Sequence, residues 1–247
     1  MNTLLALDRG NSGLKAALFR GEEIKDRLRL AGEGSIELAE KLIREFSPEG
    51  IAFCSVVPSW SREFREKVEE MGCKNILDVN SAVRLPFSLL VKSPEKLGAD
   101  RICAAAGARA DGSSEAVIVD MGTAVTVDLL TSSGFRGGSI IPGPRAMLDS
   151  LNRSAEALED IALPPENTES MRIPGRSTQA AIKAGIHWGL AGAVEKLVRL
   201  TAQAAGSRPD IYLTGGEAGS LRADLEFPFI HDQDLVFRGL FLIYRNL

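Results

Sequence analysis

The feature that most constrains this chain is a short pattern that occurs twice. LLALDRGNSGLKAALF (Leu4 to Phe19) and AVIVDMGTAVTVDLL (Ala116 to Leu130) share one layout. In each, four apolar residues lead into an Asp, a spacer, a Gly and a small hydroxyl or amide residue, followed by a second apolar run. Asp8 corresponds to Asp120 and Gly10 to Gly122 at one offset of 112 residues. Apolar runs of this length read as buried strands, and a Gly behind the Asp allows a tight turn or a close backbone approach. The expected unit is therefore strand, acidic turn, strand. Its repetition predicts an α/β chain of two like domains, residues 1–115 and 116–247, with DGSSE at 111–115 as the linker.

The segments between the hairpins fit that plan. SIELAEKLIREF (Ser35 to Phe46) carries a helical apolar stripe, and IAFCSVV (Ile51 to Val57) reads as a strand stopped by Pro58. SREFREKVEEMG reads as a surface helix ended by Gly72, a loop follows from Asn80 to Pro94, and a helix begins near Asp100. In the second half a turn is expected at Gly137 and Gly138, then a strand stopped by Pro142 and Gly143 and a helix through Leu151. A polar loop spans about Leu163 to Ser177. A long helix follows, in which Gly185, Gly189 and Gly192 lie on or near one side and would permit close approach of a helix or a ligand. Asp210 to Gly219 reads as a strand entering a Gly-rich turn, and a last helix starts near Asp232.

Composition narrows the partners. Lys and Arg number 29 against 33 Asp and Glu, a net charge of −4, so the chain has no overall electrostatic reason to bind nucleic acid or an acidic membrane. Three cysteines, two histidines and no CxxC argue against a disulfide framework or a zinc site. No apolar run reaches transmembrane length, and the N-terminus meets Asp8 too early for a signal-peptide core. A soluble cytoplasmic protein with a small ligand is expected.

Several motifs carry chemistry. A hairpin turn of Asp8, Gly10, Asn11 and Ser12 with Lys15 behind it suits polyphosphate, because successive backbone N–H groups can line one concavity. An Asp beside phosphates calls for a cation between them, so Asp8 reads as a magnesium partner, direct or through water; an ordinary tight turn is the alternative. The second turn offers Asp120, Gly122, Thr123, Thr126 and Asp128 in matched positions, as if two arms clasped one nucleotide. No GxxxxGK[ST] loop is present. LTGGEAG would bring bare backbone against a base or ribose, or would simply turn the chain. GADR (Gly98 to Arg101) sets a carboxylate beside a guanidinium at a helix start: either a general base with an anchor for a polar group, or an N-cap Asp followed by a surface Arg. His187, Trp188 and Cys103 read as packing residues.

DRGNSGLK, PEKLGADR, DMGTAVTVD, GGSIIPG, STQAAIKAG and LTGG, in this order, resemble the type III pantothenate kinases of the actin-like ATPase superfamily nearly end to end. The resemblance implies two ribonuclease H-like domains, each a mixed sheet flanked by helices. It implies ATP-dependent phosphorylation of pantothenate to 4'-phosphopantothenate, the first step of coenzyme A biosynthesis. ATP would be bound by Asp8, Arg9, Gly10, Asn11, Ser12, Gly13, Leu14 and Lys15, and by Thr123. Asp120 would help hold a monovalent cation, potassium or ammonium, with magnesium accompanying ATP. Gly98, Ala99, Asp100, Arg101 and Thr178 would line the pantothenate pocket, with Asp100 as general base, and the protein would be a homodimer. Three positions depart from the family pattern: Val91 stands where a Tyr is usual, Arg9 where a small or apolar residue is usual, and Ser12 where Thr is commoner. The first two leave open a non-catalytic regulatory relative of the same family.

Overall fold

The structure is a computed structural model that describes residues 3–32, 34–154 and 172–246. It divides into two compact units. The first comprises the described residues up to Ser113, Ser133–Phe135, and the chain from Asp234 onward; the second comprises the described residues of Ser114–Ser132 and Arg136–Gln233.

In the first unit, β1 (Thr3–Gly10), β2 (Gly13–Arg20), β3 (Glu23–Ala31), β4 (Gly50–Ser55) and β5 (Ile76–Asp78) form one sheet in the order β3-β2-β1-β4-β5. The β1–β2 and β2–β3 pairs are antiparallel, whereas β1–β4 and β4–β5 are parallel. Alternation along the strands separates two faces. Leu5, Leu7, Leu14, Ile51 and Phe53 pack beneath α1 (Ser35–Phe46) and α2 (Pro58–Glu70). There Phe53 meets Trp60 and Phe64 edge-on, with centroids 5.8 and 5.1 Å away. The opposite face carries α3 (Ala99–Ala110) and α7 (Leu235–Arg245). These two helices cross backbone to backbone: a Cβ at Gly239 would lie 1.8 Å from the Cys103 carbonyl, and one at Gly107 would lie 2.0 Å from that of Leu235. Such contact explains why the last helix belongs with the first unit, whereas sequence order places it in the second half. Phe241 adds a stacked contact to Phe19 at 4.8 Å.

The second unit repeats the arrangement. β6 (Ala116–Met121), β7 (Ala124–Thr131), β8 (Gly134–Pro142), β9 (Asp210–Thr214) and β10 (Ile230–His231) form a sheet in the order β10-β9-β6-β7-β8, matching the first strand for strand. Its core of Val117, Val119, Val125, Val127 and Leu213 packs under α5 (Thr178–Ala205) through Leu190, Val194 and Val198. α4 (Pro144–Ser154) contacts α5, and α6 (Ala218–Leu221) follows β9. α5 starts on a Ser177 side chain that accepts the Ala180 N–H at 3.2 Å, and it ends on Gly206 at φ 73°.

Two expectations are corrected. Gly137 and Gly138 do not form a turn; they lie inside β8, and the hairpin bends at Ser132 and Ser133. Gly138 instead keeps clear the space beside Asp128, whose Oδ1 would be 2.2 Å from a Cβ there. Gly185, Gly189 and Gly192 receive no close helix approach among the described residues, since a Cβ at any of them would meet nothing within 4 Å there. The loop expected at 163–177 falls mostly outside the described residues.

Candidate functional site

In the first unit the geometry centres on Asp8, near the C-terminal end of the middle strand and only 7% exposed. The register fixes its neighbours: Lys15 lies opposite on β2 and Cys54 opposite on β4. Lys15 Nζ is 3.6 Å from Asp8 Oδ2, and the Cys54 thiol donates to Oδ1 at 3.6 Å. One carboxylate is thus held from both sides, which suits a fixed charge. The turn beyond it exposes Asn11 and Ser12. Gly13 admits β3, because a Cβ there would sit 2.1 Å from the Leu30 carbonyl oxygen. Arg9 folds back over the turn, its guanidinium donating to the carbonyls of Gly10 and, at 3.1 Å, Gly13. Leu14 is fully buried in the core beneath α1 and α2, so it bears on the turn only through its backbone.

GADR falls at the start of α3. Gly98 is the N-cap and has no side chain to cap with, so Asp100 is not the cap but the second helical residue. Its Oδ1 accepts the backbone N–H of Arg101 at 2.8 Å. Ala99 is buried, while Gly98, Asp100 and Arg101 are half-buried. The glycine has a steric reason: a Cβ at Gly98 would lie 2.5 Å from Asp100 Oδ1. Two fully buried thiols, Cys54 and Cys103, neighbour each other and feel both this carboxylate and Asp8. The adjoining Cys103 thiol, burial and the carboxylates of Asp8 and Asp100 push the Cys54 thiol well above its ordinary range, and burial raises Cys103. Both remain protonated donors near neutral pH.

The second unit holds the counterpart. Asp120 lies opposite Thr126 on β7 and Thr214 on β9, the places of Lys15 and Cys54 in the first unit. Among the described residues, Thr126 Oγ1 is buried without a hydrogen-bond partner. Gly215, at φ 98°, presses against Asp120, since a Cβ there would be 2.5 Å from its Oδ1 and 2.3 Å from the Met121 carbonyl oxygen. The Glu217 N–H donates to that same carbonyl at 2.8 Å, which ties the TGG turn to the Asp120 turn. Gly143 fits under the turn from another side, its N–H donating to the Thr123 carbonyl at 3.0 Å. Thr123 is exposed at the tip, and Thr178 is exposed on the first turn of α5. His187 is buried and pairs with Asp224 at 2.9 Å, a packing role as expected.

Asp8, Lys15, Asp100 and Arg101 therefore share one unit, and Asp120, Thr123 and Thr178 the other. Sequence reasoning missed Cys54 and Phe135, and it named Thr126 and the TGG turn at Thr214 without placing either opposite Asp120. Cys54 and Thr214 sit on neighbouring strands, where only the parallel register reveals them.

Residues 4–200 match the profile of the type III pantothenate kinases. The chain belongs to that family. The type III pantothenate kinase of Zymomonas mobilis is 32% identical, over 98% of this chain and 92% of that one. Among solved structures, a ROK hexokinase from Thermus thermophilus superposes with a TM-score of 0.53 at 15% identity, covering 98% of each chain. MreB5 of Spiroplasma citri superposes at 0.54 and 12% identity, covering 100% of this chain and 97% of that one. These likenesses show an actin-like fold, to which each five-stranded unit here contributes one sheet.

Proposed function

We propose that the chain transfers the γ-phosphoryl group of ATP to the primary hydroxyl of pantothenate, giving 4'-phosphopantothenate and ADP. The observation that carries this reading is the Asp100 carboxylate, held at the start of α3 by the Arg101 N–H in space that Gly98 leaves open. Asp100 accepts the hydroxyl proton as the oxygen attacks the γ-phosphorus in line. The bond to the β-phosphate bridging oxygen breaks, and ADP leaves with that electron pair. Arg101, Gly98, Ala99 and Thr178 are assigned to pantothenate binding. Phosphoryl transfer has a loose transition state, so placement and charge stabilisation supply most of the catalysis.

The ATP phosphates are assigned to the turn from Asp8 to Lys15, with Lys15 as the counter-charge and Arg9 bracing the turn carbonyls. Thr123 is assigned to ATP as well. Among the described residues no three His, Cys, Asp or Glu side chains gather into a metal cage. A magnesium ion that travels with ATP needs few protein carboxylates, because phosphate and water fill its shell; Asp8 is assigned as its partner. When bound, the ion neutralises charge developing on the phosphates. Asp120 is the ligand for potassium or ammonium. The unpartnered Thr126 hydroxyl opposite it supports a cation there, since a buried oxygen otherwise lacks a partner.

A homodimer is part of the proposal. Ile140, Leu151 and Ile173 are 60, 41 and 70% exposed, and a second copy would cover apolar surface of this kind. No described helix is long and apolar enough to cross a membrane, and a cytoplasmic location is proposed. Family membership favours the kinase over a non-catalytic relative. A coupled ADP-release assay, run with and without pantothenate in potassium and then sodium buffer, tests the reading. Release that depends on pantothenate and weakens in sodium is expected; release indifferent to pantothenate would refute it.

A further inference from the structure

Phe135 is fully buried, yet it lies in none of the expected motifs. It is the second residue of β8 but packs with the first unit. Its N–H donates to the Ser88 carbonyl at 2.8 Å, and its carbonyl accepts the Leu90 N–H at 2.8 Å. These bonds close a parallel bridge between Phe135 and Leu89. Gly134 makes the approach possible, because a Cβ there would be 2.3 Å from the Ser88 carbonyl oxygen. The backbone around the ring is therefore held at two points. Above the ring lies the Arg101 guanidinium, with Cζ 5.6 Å from the centroid. An aromatic face attracts a cation at this range, more strongly where water is excluded.

We infer that Phe135 is a positioning residue for substrate recognition: its ring fixes the Arg101 guanidinium on the first turn of α3, beside the Asp100 carboxylate. The inference rests on the pantothenate reading. Without the ring, the Arg101 guanidinium loses one of the contacts that hold it, and more of the cost of ordering it falls to the substrate. The loss should appear in binding of pantothenate and not in handling of ATP. Phe135 touches no reacting group; it acts through Arg101.

The test compares wild type, Phe135→Leu, Phe135→Met, Arg101→Met and the Phe135→Leu/Arg101→Met pair in steady-state assays, with melting curves for each. Wild-type turnover of pantothenate is measured first, so failure of the kinase reading shows there and is distinguishable from failure of the positioning role. Phe135→Leu should raise KM for pantothenate by about three- to tenfold, with KM for ATP within about twofold of wild type. In the Arg101→Met background the same change should add almost nothing, because the partner is gone. A merely structural role would shift both KM values, kcat and the melting temperature together. Should both Phe135 variants fail to fold, pentafluorophenylalanine at position 135 decides: it keeps the shape of the ring but removes its attraction for a cation, so it should raise the pantothenate KM while KM for ATP and the melting temperature hold, and an unmoved pantothenate KM overturns the inference. An unmoved pantothenate KM in Phe135→Leu or in Arg101→Met, or a full additional loss in the pair, overturns the inference.

Discussion

Replacing Gly98 with alanine isolates the arrangement on which the proposed chemistry depends. Gly98 has φ −57° and ψ 132°, a conformation alanine adopts freely, so the change strains no backbone. The new Cβ would nevertheless fall 2.5 Å from Asp100 Oδ1, about 1 Å inside ordinary contact. The carboxylate must swing away and give up the 2.8 Å bond from the Arg101 N–H. A hydrogen bond to a charged acceptor is worth about 1.5–3 kcal/mol, which corresponds to a factor of roughly ten to a hundred in rate. We expect kcat for pantothenate phosphorylation to fall by about that factor while KM for ATP holds. Alanine is a poorer N-cap than glycine, so stability should drop by only about 1 kcal/mol. Coupled ADP release gives the rates, and a thermal melt checks the fold. Combining the change with Asp100→Asn sharpens the test: if Gly98→Ala acts through the carboxylate, the double variant is no slower than Asp100→Asn alone. Wild-type kcat in Gly98→Ala, or a second full loss in the double variant, would refute the reasoning.

Two other outcomes follow from the same geometry. Gly215→Ala sets a left-handed residue and a blocked Cβ against the Met121 carbonyl and Asp120. It should cost about 2 kcal/mol or more, lower the melting temperature by about 4–8 °C and abolish the difference between potassium and sodium. Retained potassium activation at the wild-type melting temperature would contradict this. The thiols supply a pH prediction. Cys54 and Cys103 hold their protons in the folded state above the ordinary value of 9.0, so the folded form binds more protons than the unfolded one there. Stability is complete below about pH 9 and declines as pH rises beyond it, and a Cys54→Ala/Cys103→Ala variant should decline less steeply in urea titrations. Iodoacetamide at pH 8 should label Cys73 and spare the other two; labelling of Cys54 in native protein would contradict it.

How far the sequence discloses this molecule depends on which interactions are local. The hairpins, α1 and the start and stop of α5 are legible because apolar period, Ser177 and Gly206 act within a few residues. β3 escapes notice because it is charged and mostly exposed, with Glu23, Lys25, Asp26, Arg27 and Arg29 in nine residues. Its membership comes from pairing with β2, not from burial. The placement of α7 is equally non-local, set by Gly107 and Gly239 meeting carbonyls on the opposing helix. At the site, the DRGN and GADR motifs announce themselves. What supports them, Cys54 beside Asp8 and Phe135 beneath Arg101, comes from chain distant in sequence, where no motif spacing points.

The decisive measurement is mass spectrometry of the product formed from ATP and pantothenate by wild-type protein and by Asp100→Asn, with ATP binding measured on both. Wild type should add one phosphoryl group to the primary hydroxyl, and the variant should bind ATP normally yet turn over at least about a hundredfold more slowly. Unmodified pantothenate after incubation with wild type, or wild-type turnover by Asp100→Asn, would contradict it.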